Sequence, residues 1–275
     1  MRLIGQGATL AGSEGVAALA ADLAGELKRL QGEVRAHPED ARLRTYLFQL
    51  LAVNGEWQRA LNQLQVCAQL AASAIPMAQT YREAIRCEVF RTEVFAGKRT
   101  PQILGEPPPW MGLIVDALDK FAHGHVTAAE DLRGQALEQA PATAGTIDGK
   151  PFEWIADADS RLGPVCEAII DGKYYWVPFE RIVNIKVEAP SDLRDFVWVG
   201  AHFKLTTGAV QVALIPSRYP GTEASDKDAL RLARMTTWVE AGPNTFVGLG
   251  QRTWATDVGE FALLDTREIA LDPGA

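Results

Sequence analysis

The sequence predicts an α+β protein, in which a helical first half is followed by a second half rich in antiparallel strands. Apolar residues recur at helical spacing up to about residue 140. Beyond Pro141 the segments become short and rich in β-branched and aromatic residues, with turn residues between them. The change falls in "APATAGTIDG", so we expect a helical domain over residues 1–145 and an α+β domain over residues 146–275.

The composition is that of an ordinary globular protein that can bury a core. Of 275 residues, 47% are hydrophobic and 23% are charged. The net charge of −8 argues against broad binding of nucleic acid or of an anionic membrane surface. No apolar run approaches the ~18 residues of a membrane span, and no secretory signal is evident. The three cysteines are far apart and odd in number, which favours a cytoplasmic location.

Helical periodicity is interrupted by short turns, which divide the first half into consecutive helices. Pro38 breaks the first apolar pattern, "NGEW" and "HGHV" form tight turns, and Gly97 ends the longest helix. The predicted helices cover about residues 15–30, 41–53, 57–71, 77–95, 110–121 and 127–140.

Two of these turns share a spacing. Gly55-x-Trp57-x-x-Ala60 recurs loosely as Gly124-x-Val126-x-x-Ala129. In a tetratricopeptide unit, a glycine at the turn is followed by a bulky residue and then by a small one, which lets the paired helices approach closely. We therefore expect a tetratricopeptide-like helical domain, with an irregular helical bundle as the alternative.

The second half contains one clear hairpin and one marked helix. In "IIDGKYYWVP", apolar runs flank Asp171-Gly172, a pair typical of a type I′ turn. A short turn is expected at 179–182. Ser225 and Asp228 have the spacing of a capping box, which predicts a helix from Ser225 to Thr236.

Two patterns resemble ligand sites only weakly. "GQGATLAG" near the start is Gly-rich, but no strand precedes it and no P-loop lysine follows, so an unstructured leader is the better interpretation. His123 and His125 flank a turn glycine, where zinc would need further ligands that the neighbouring sequence does not supply. We therefore expect solvated turn residues, no metal and no cofactor.

Two polar segments are stronger candidates. Asp157 and Asp159 at a strand end are of the type that binds magnesium, but Arg161 beside them favours a polar turn in which it neutralises an acid. Arg218 and Tyr219 precede a helix start whose aspartates compete with any bound anion. We expect Arg218 to pair with an acid. A second polar cluster is formed in sequence by Gln251 and Arg252.

Several blocks of the sequence resemble the ImpE family, also called TagJ, of bacterial type VI secretion systems. The blocks occur in the family's order and are "RLGPVCEAIIDGKYYWVPFERI", "SRYPGTEASDKDALRLARMTTW", "GLGQRTW" and "FALLDTREI". The helical half is similar as well, in "GEVRAHPEDARLRTYLFQLLAVNGEWQRALNQL". The likeness covers most of residues 16–271, and the first fifteen residues depart from it.

The resemblance implies a non-enzymatic adaptor with a helical repeat-like domain joined to an α+β domain. It implies binding to a helical segment of the TssB-type sheath subunit and assistance to the ClpV-type ATPase that disassembles the sheath. An apolar groove between paired helices suits such a segment. Tyr46, Trp57 and Trp110 are candidate anchors, each with helix packing as the alternative role.

The alternative function is an enzyme that acts on a phosphorylated small molecule through Arg218, Asp157 and Asp159. Stabilisation by magnesium or manganese would favour it. A scaffold that uses its two domains for different partners is a third possibility.

Overall fold

The computed structural model describes residues 22–272, and the Gly-rich stretch at residues 5–12 lies outside them. Among the described residues, six α-helices lie between residues 23 and 139, and strand β1 (Gln102–Ile103) of the main sheet falls between the fourth and the fifth. Five of them lie close to the predicted positions, whereas the first continues to Ala36, past its predicted end at residue 30. The six helices are α1 (Leu23–Ala36), α2 (Ala41–Val53), α3 (Trp57–Leu70), α4 (Ile75–Phe95), α5 (Pro109–Ala122) and α6 (Val126–Gln139). No helix in this part of the chain is both long and apolar enough to cross a membrane.

The glycine turns pair these helices as the spacing predicts. Gly55 and Gly124 have φ of 71° and 79°, the left-handed region that favours glycine, and they end α2 and α5. Ala60 and Ala129 are buried on the helix that follows each turn. The pairs α2–α3 and α5–α6 pack together closely because these alanines let the helix backbones approach each other.

The second half consists of short strands, whose main sheet has the order β1-β6-β5-β9-β8-β7-β14-β2-β3. Pairing is antiparallel except between β1 and β6, and the smaller sheets are β13-β12-β4 and the hairpin β10-β11. The strands are β1 (Gln102–Ile103), β2 (Ala144–Ile147), β3 (Lys150–Phe152), β4 (Ile155–Asp157), β5 (Val165–Ile170), β6 (Lys173–Pro178), β7 (Ile182–Val187), β8 (Trp198–Leu205), β9 (Val210–Pro216), β10 (Thr236–Gly242), β11 (Thr245–Gly250), β12 (Thr253–Thr256), β13 (Gly259–Ala262) and β14 (Glu268–Asp272).

Alternation along β5 shows how the main sheet separates two cores. Val165 and Ile169 belong to the core shared with the helices, whereas Cys166 and Ile170 belong to the core on the opposite face. Glu167 lies on the helix side and is fully buried. One charged side chain thus stands where the period-2 pattern requires an apolar one, directly beneath the helices.

The predicted hairpin is confirmed. Ile170 pairs with Lys173, and both Asp171 and Gly172 have positive φ, as a type I′ turn requires. The predicted turn that follows β6 is a 3₁₀-helix, Phe179–Arg181.

The predicted helix from Ser225 to Thr236 is wrong. Only α7, Asp228–Arg231, is helical, and Ser225 accepts a hydrogen bond from the Lys227 amide instead of capping it. Long-range hydrogen bonds accompany this early end. Arg218 donates to the carbonyl oxygen of Arg231 in the helix, and Gln251 donates to that of Ala233 just after it. Local propensity yields to these long-range bonds, and β10 begins at Thr236.

Candidate functional site

Six charged side chains meet where the helices pack on the sheet, and we refer to them as the buried ionic cluster. Each is at most 8% exposed, and the carboxylates balance the guanidinium groups in number. The members are Glu88, Arg91, Asp157, Glu167, Arg218 and Arg252. Charges buried so deeply are tolerated only when they are paired and hydrogen-bonded, so the partners decide what this cluster does.

Glu167 is the centre of the cluster. Arg91 on α4 binds it with two parallel hydrogen bonds, Nε to Oε1 at 2.6 Å and Nη2 to Oε2 at 2.8 Å. Arg252 on the opposite side donates to Glu167 with one nitrogen and to Asp157 with another. The resulting chain of alternating charge runs from β4 through β5 to helix α4.

Aromatic side chains complete the hydrogen bonding at the edges of the cluster. The Tyr174 hydroxyl donates to Glu167, and the Trp176 indole N–H donates to that hydroxyl at 2.7 Å. The Trp198 indole donates to Glu88 at 2.9 Å. The carboxylates are therefore held by neighbours within the fold, as buried charges need to be.

Burial disfavours the charged form of every carboxylate in the cluster, but the net change in pKa differs between them. Burial raises the pKa of Glu167, yet the guanidinium groups of Arg91 and Arg252 outweigh it and hold that pKa at about 2. Burial dominates at Asp157 and raises its pKa to about 7. The pKa of Glu88 is also raised by burial. Two of the three carboxylates are thus weaker acids than usual.

Within residues 22–272, Arg218 forms no ion pair with an acid, contrary to the prediction. Its Nη1 donates to the backbone carbonyl oxygens of Val53 at 2.7 Å and of Arg231 at 2.5 Å. These carbonyls lie at the ends of α2 and α7, where helix carbonyls lack partners of their own. Burial lowers the pKa of Arg218 to about 10. This arginine joins the ends of two helices.

The structure brings the other predicted polar residues next to Arg218. Arg218 forms a β-bridge with Gln251, whose amide donates to the Ala233 carbonyl. The Tyr219 hydroxyl exchanges hydrogen bonds with the backbone of Thr253. The two predicted clusters therefore lie on two neighbouring segments joined by a β-bridge. The side chains of Gln251 and Tyr219 form hydrogen bonds to the protein backbone.

Asp157 and Asp159 form the polar turn that the sequence favours. Arg161 binds Asp159 through Nε at 2.9 Å and Nη2 at 2.6 Å, while the Gly248 amide donates to the same carboxylate. The Arg161 prediction is thus confirmed. Both aspartates are buried, so their oxygens face the protein interior.

The histidine pair lies on the turn between α5 and α6 and is exposed. His123 Nδ1 is 2.8 Å from the Asp119 carbonyl oxygen. Over residues 22–272, no group of three or more His, Cys, Asp or Glu side chains is placed to hold a metal ion.

The three predicted aromatic anchors lie in different environments. Trp110 is 3% exposed and packs in the helix-side core, which removes it from the candidate surface anchors. Trp57 is half-buried and packs on Trp198, with ring centroids 5.8 Å apart. Tyr46 is half-buried and donates its hydroxyl to Glu26 at 2.8 Å.

Sequence reasoning missed the central members of the ionic cluster. Glu167 carries a readable signal, because it interrupts the apolar strand "VCEAII". Glu88 and Arg91 carry none, because an i,i+3 acid–base pair on a helix is usually a solvated pair.

Close packing around Tyr219 yields a stability prediction. A Cβ at Gly248 would lie 2.2 Å from the Tyr219 ring, so Gly248→Ala should lower the unfolding free energy by about 1–3 kcal/mol. Gly134→Ala is the matched control on α6, where nothing lies within 4 Å, and it should stabilise by about 0.5–1 kcal/mol. Urea unfolding followed by fluorescence measures both, and equal effects would contradict the packing argument.

The protein is an α+β scaffold in which paired helices pack on one face of an antiparallel-rich sheet. Its buried ionic cluster lies between the two layers and bonds within the fold. A match to the family described as ImpE protein covers residues 149–270. The type VI secretion system accessory component TagJ of Pseudomonas aeruginosa is 52% identical over 247 residues, 90% of this chain and 86% of that protein. The chain therefore belongs to the ImpE/TagJ family of type VI secretion system accessory components, which confirms the resemblance.

A solved structure shows the same fold. The crystal structure of protein VPA1032 from Vibrio parahaemolyticus matches with a TM-score of 0.82, over 91% of this chain and 94% of that one. The sequences are 24% identical, so this likeness concerns the fold alone.

Proposed function

We propose that this protein is a non-enzymatic adaptor that binds a helical segment of the TssB-type sheath subunit in the cytoplasm and assists sheath handling by the ClpV-type ATPase. The observation that carries the proposal is the 52% identity to a type VI secretion accessory component along 90% of the chain. The three cysteines are free and buried, which suits a reducing compartment.

A non-enzymatic role is supported by the burial of the charged side chains and by their hydrogen bonds within the fold. The side chains that phosphoryl chemistry would require, Asp157, Asp159 and Arg218, are at most 4% exposed. Each is hydrogen-bonded within the fold, to Arg252, to Arg161 and to backbone carbonyls respectively. A substrate would have to displace these bonds and open the helix–sheet contact, at a cost of several buried charge pairs.

The helical layer supports the binding of a helix. A depression between α5, α6 and the 158–161 loop has a largely apolar lining. An amphipathic helix that lay along this shallow depression would place its apolar side chains, spaced at i, i+3, i+4 and i+7, over the apolar rim. The lining includes Ile114, Leu118, Phe121, Ala129 and Arg133. The partly exposed rings of Tyr46 and Trp57 offer additional apolar contact area.

Charge adds a second expectation for the partner. The chain carries a net charge of −8, so a basic segment would be attracted over a distance of about one Debye length, roughly 8–10 Å at physiological salt. Attraction of this kind changes the association rate more than the affinity. We therefore expect association to slow with rising salt, while dissociation changes little.

Calorimetry with a synthetic peptide of the sheath subunit's helical segment tests the proposal. We expect a dissociation constant of roughly 1 μM or tighter, which corresponds to about 8 kcal/mol. Phe121→Ala should weaken binding, and so should Tyr46→Ala if that ring is an anchor. Tyr46→Phe keeps the ring, and Val210→Ser alters an exposed apolar side chain on the sheet, so both controls should bind normally.

Absence of heat and of any fluorescence change, with protein that unfolds cooperatively, would overturn the sheath-binding proposal. The ATPase part is tested separately. The purified ATPase should be captured by this protein in a pull-down, either directly or when the sheath segment is also present. No co-purification of the ATPase under either condition would refute that part.

A further inference from the structure

The hairpin of β10 and β11 has one closed edge and one open edge. Its two strands form a separate two-stranded sheet. Within residues 22–272, no other strand pairs with the outer side of β10, and none of the backbone groups of residues 236–242 bonds to a partner outside the hairpin. The outer edge of β10, Thr236–Gly242, is therefore unpaired in this part of the chain, and alternate residues along it present their backbone groups outward.

The bonds of β11 identify which groups of β10 face outward. Phe246, Gly248 and Gly250 turn their amides away from β10, to Ser160 Oγ at 3.0 Å, Asp159 Oδ2 at 2.9 Å and Thr222 Oγ1 at 2.9 Å. These three residues are thus the non-hydrogen-bonded members of the antiparallel ladder.

The register then fixes the partners of those residues on β10. Glu240 lies opposite Phe246, Trp238 opposite Gly248, and Thr236 opposite Gly250. In an antiparallel ladder, both members of a non-hydrogen-bonded pair point their N–H and C=O groups away from each other. Thr236, Trp238 and Glu240 therefore present their donors and acceptors at the open edge, two residues apart.

We propose that β10 pairs with β10 of a second copy of this chain, antiparallel about a two-fold axis at Trp238. Trp238 then faces its own copy, and Glu240 faces Thr236 of the other copy. Each facing pair exchanges two hydrogen bonds, so about six form in all. The pattern is self-complementary, as an isologous contact requires, and it places no two like charges opposite each other.

The side chains of the hairpin support an association of moderate strength. Val239 and Phe246 are 47% and 44% exposed, and Met235 just before β10 is 42% exposed. A four-stranded sheet across the two copies would shield part of this apolar surface. A contact between two short strands buries less than the roughly 1,200 Å² of a standard stable interface. The dimer should accordingly form only at high concentration, near a dissociation constant of roughly 100 μM.

Sedimentation equilibrium of the full chain, from about 5 μM to about 500 μM, tests this pairing against the expected affinity. The wild type should shift from monomer towards dimer. Glu240→Pro removes one outward N–H without touching a β10–β11 bond, and it should remain monomeric. Glu240→Ala keeps the N–H and is the matched control, which should dimerise at least as well as the wild type.

Hydrogen exchange of the wild type gives an independent measurement. The amides of Trp238 and Glu240 should become protected as concentration rises, while those of Thr237 and Val239 stay protected throughout because they bond to β11. A wild type that is monomeric at every concentration would overturn the proposal, and so would dimerisation that leaves the Trp238 and Glu240 amides unprotected.

Discussion

Arg252→Met should lower the unfolding free energy by about 3–5 kcal/mol, the cost of leaving buried carboxylates without their partner. Arg252 is fully buried and donates to both Asp157 and Glu167. Methionine fills much of the same space but has no donor. Guanidinium chloride unfolding at pH 7 measures the loss, which is a large part of the stability of a typical domain.

A surface pair on helix α4 provides the control. Arg86 binds Glu83 at 2.7 Å, but its side chain is 64% exposed. Arg86→Met should therefore change stability by less than about 1 kcal/mol, because water screens and replaces an exposed ion pair.

The double variant Arg252→Met with Asp157→Asn separates charge from packing. Removing the uncompensated negative charge of Asp157 should restore part of the lost stability. A double variant that is less stable than Arg252→Met by the full cost of Asp157→Asn alone would show that the two side chains do not interact.

Helix pairing and the hairpin were predictable because their signals are local. Gly55 and Gly124 each fix a turn, and Asp171-Gly172 fixes another, through backbone conformations that a few neighbouring residues determine. Trp110 shows the limit of that reasoning, since an aromatic after three prolines looks the same in sequence whether its ring is exposed or buried.

The ionic cluster was not predictable because its contacts are long-range. Helix α4 carries two acid–arginine pairs of the same i,i+3 spacing, Glu83 with Arg86 and Glu88 with Arg91. The first is exposed and the second is buried on Glu167, which is 76 residues from Arg91. Only the packing of helix on sheet distinguishes them. The same cause shortened the predicted helix after Ser225.

The raised pKa of Asp157 makes the unfolding free energy depend on pH. The pKa of Asp157 is about 7 in the folded protein because burial disfavours its charged form. In the unfolded chain the carboxyl has an ordinary pKa of about 3.9. The folded state therefore binds more protons between these values, and its stability falls as pH rises.

The two carboxylates bound to Arg252 respond in opposite directions for a structural reason. Glu167 also receives both hydrogen bonds of Arg91 and the Tyr174 hydroxyl, so its pKa is held at about 2. Asp157 is bound by Arg252 and by the backbone amide of Asp159. These partners do not outweigh its burial, and the nearby negative charge of Asp159 raises its pKa further. Glu167 therefore contributes stability that is lost only on acidification below about pH 4. It does not offset Asp157 near neutrality.

The unfolding free energy should consequently decrease from about pH 5 to about pH 7.5, by an amount on the order of a few kcal/mol. Urea unfolding across this range measures it. The raised pKa of Glu88 acts in the same direction. Asp157→Asn imitates the protonated acid and should flatten most of the slope, whereas Asp131→Asn on exposed α6 surface should leave it unchanged. If stability instead rose with pH in this window, Asp157 would be ionised in the fold, held by Arg252 as firmly as Glu167 is.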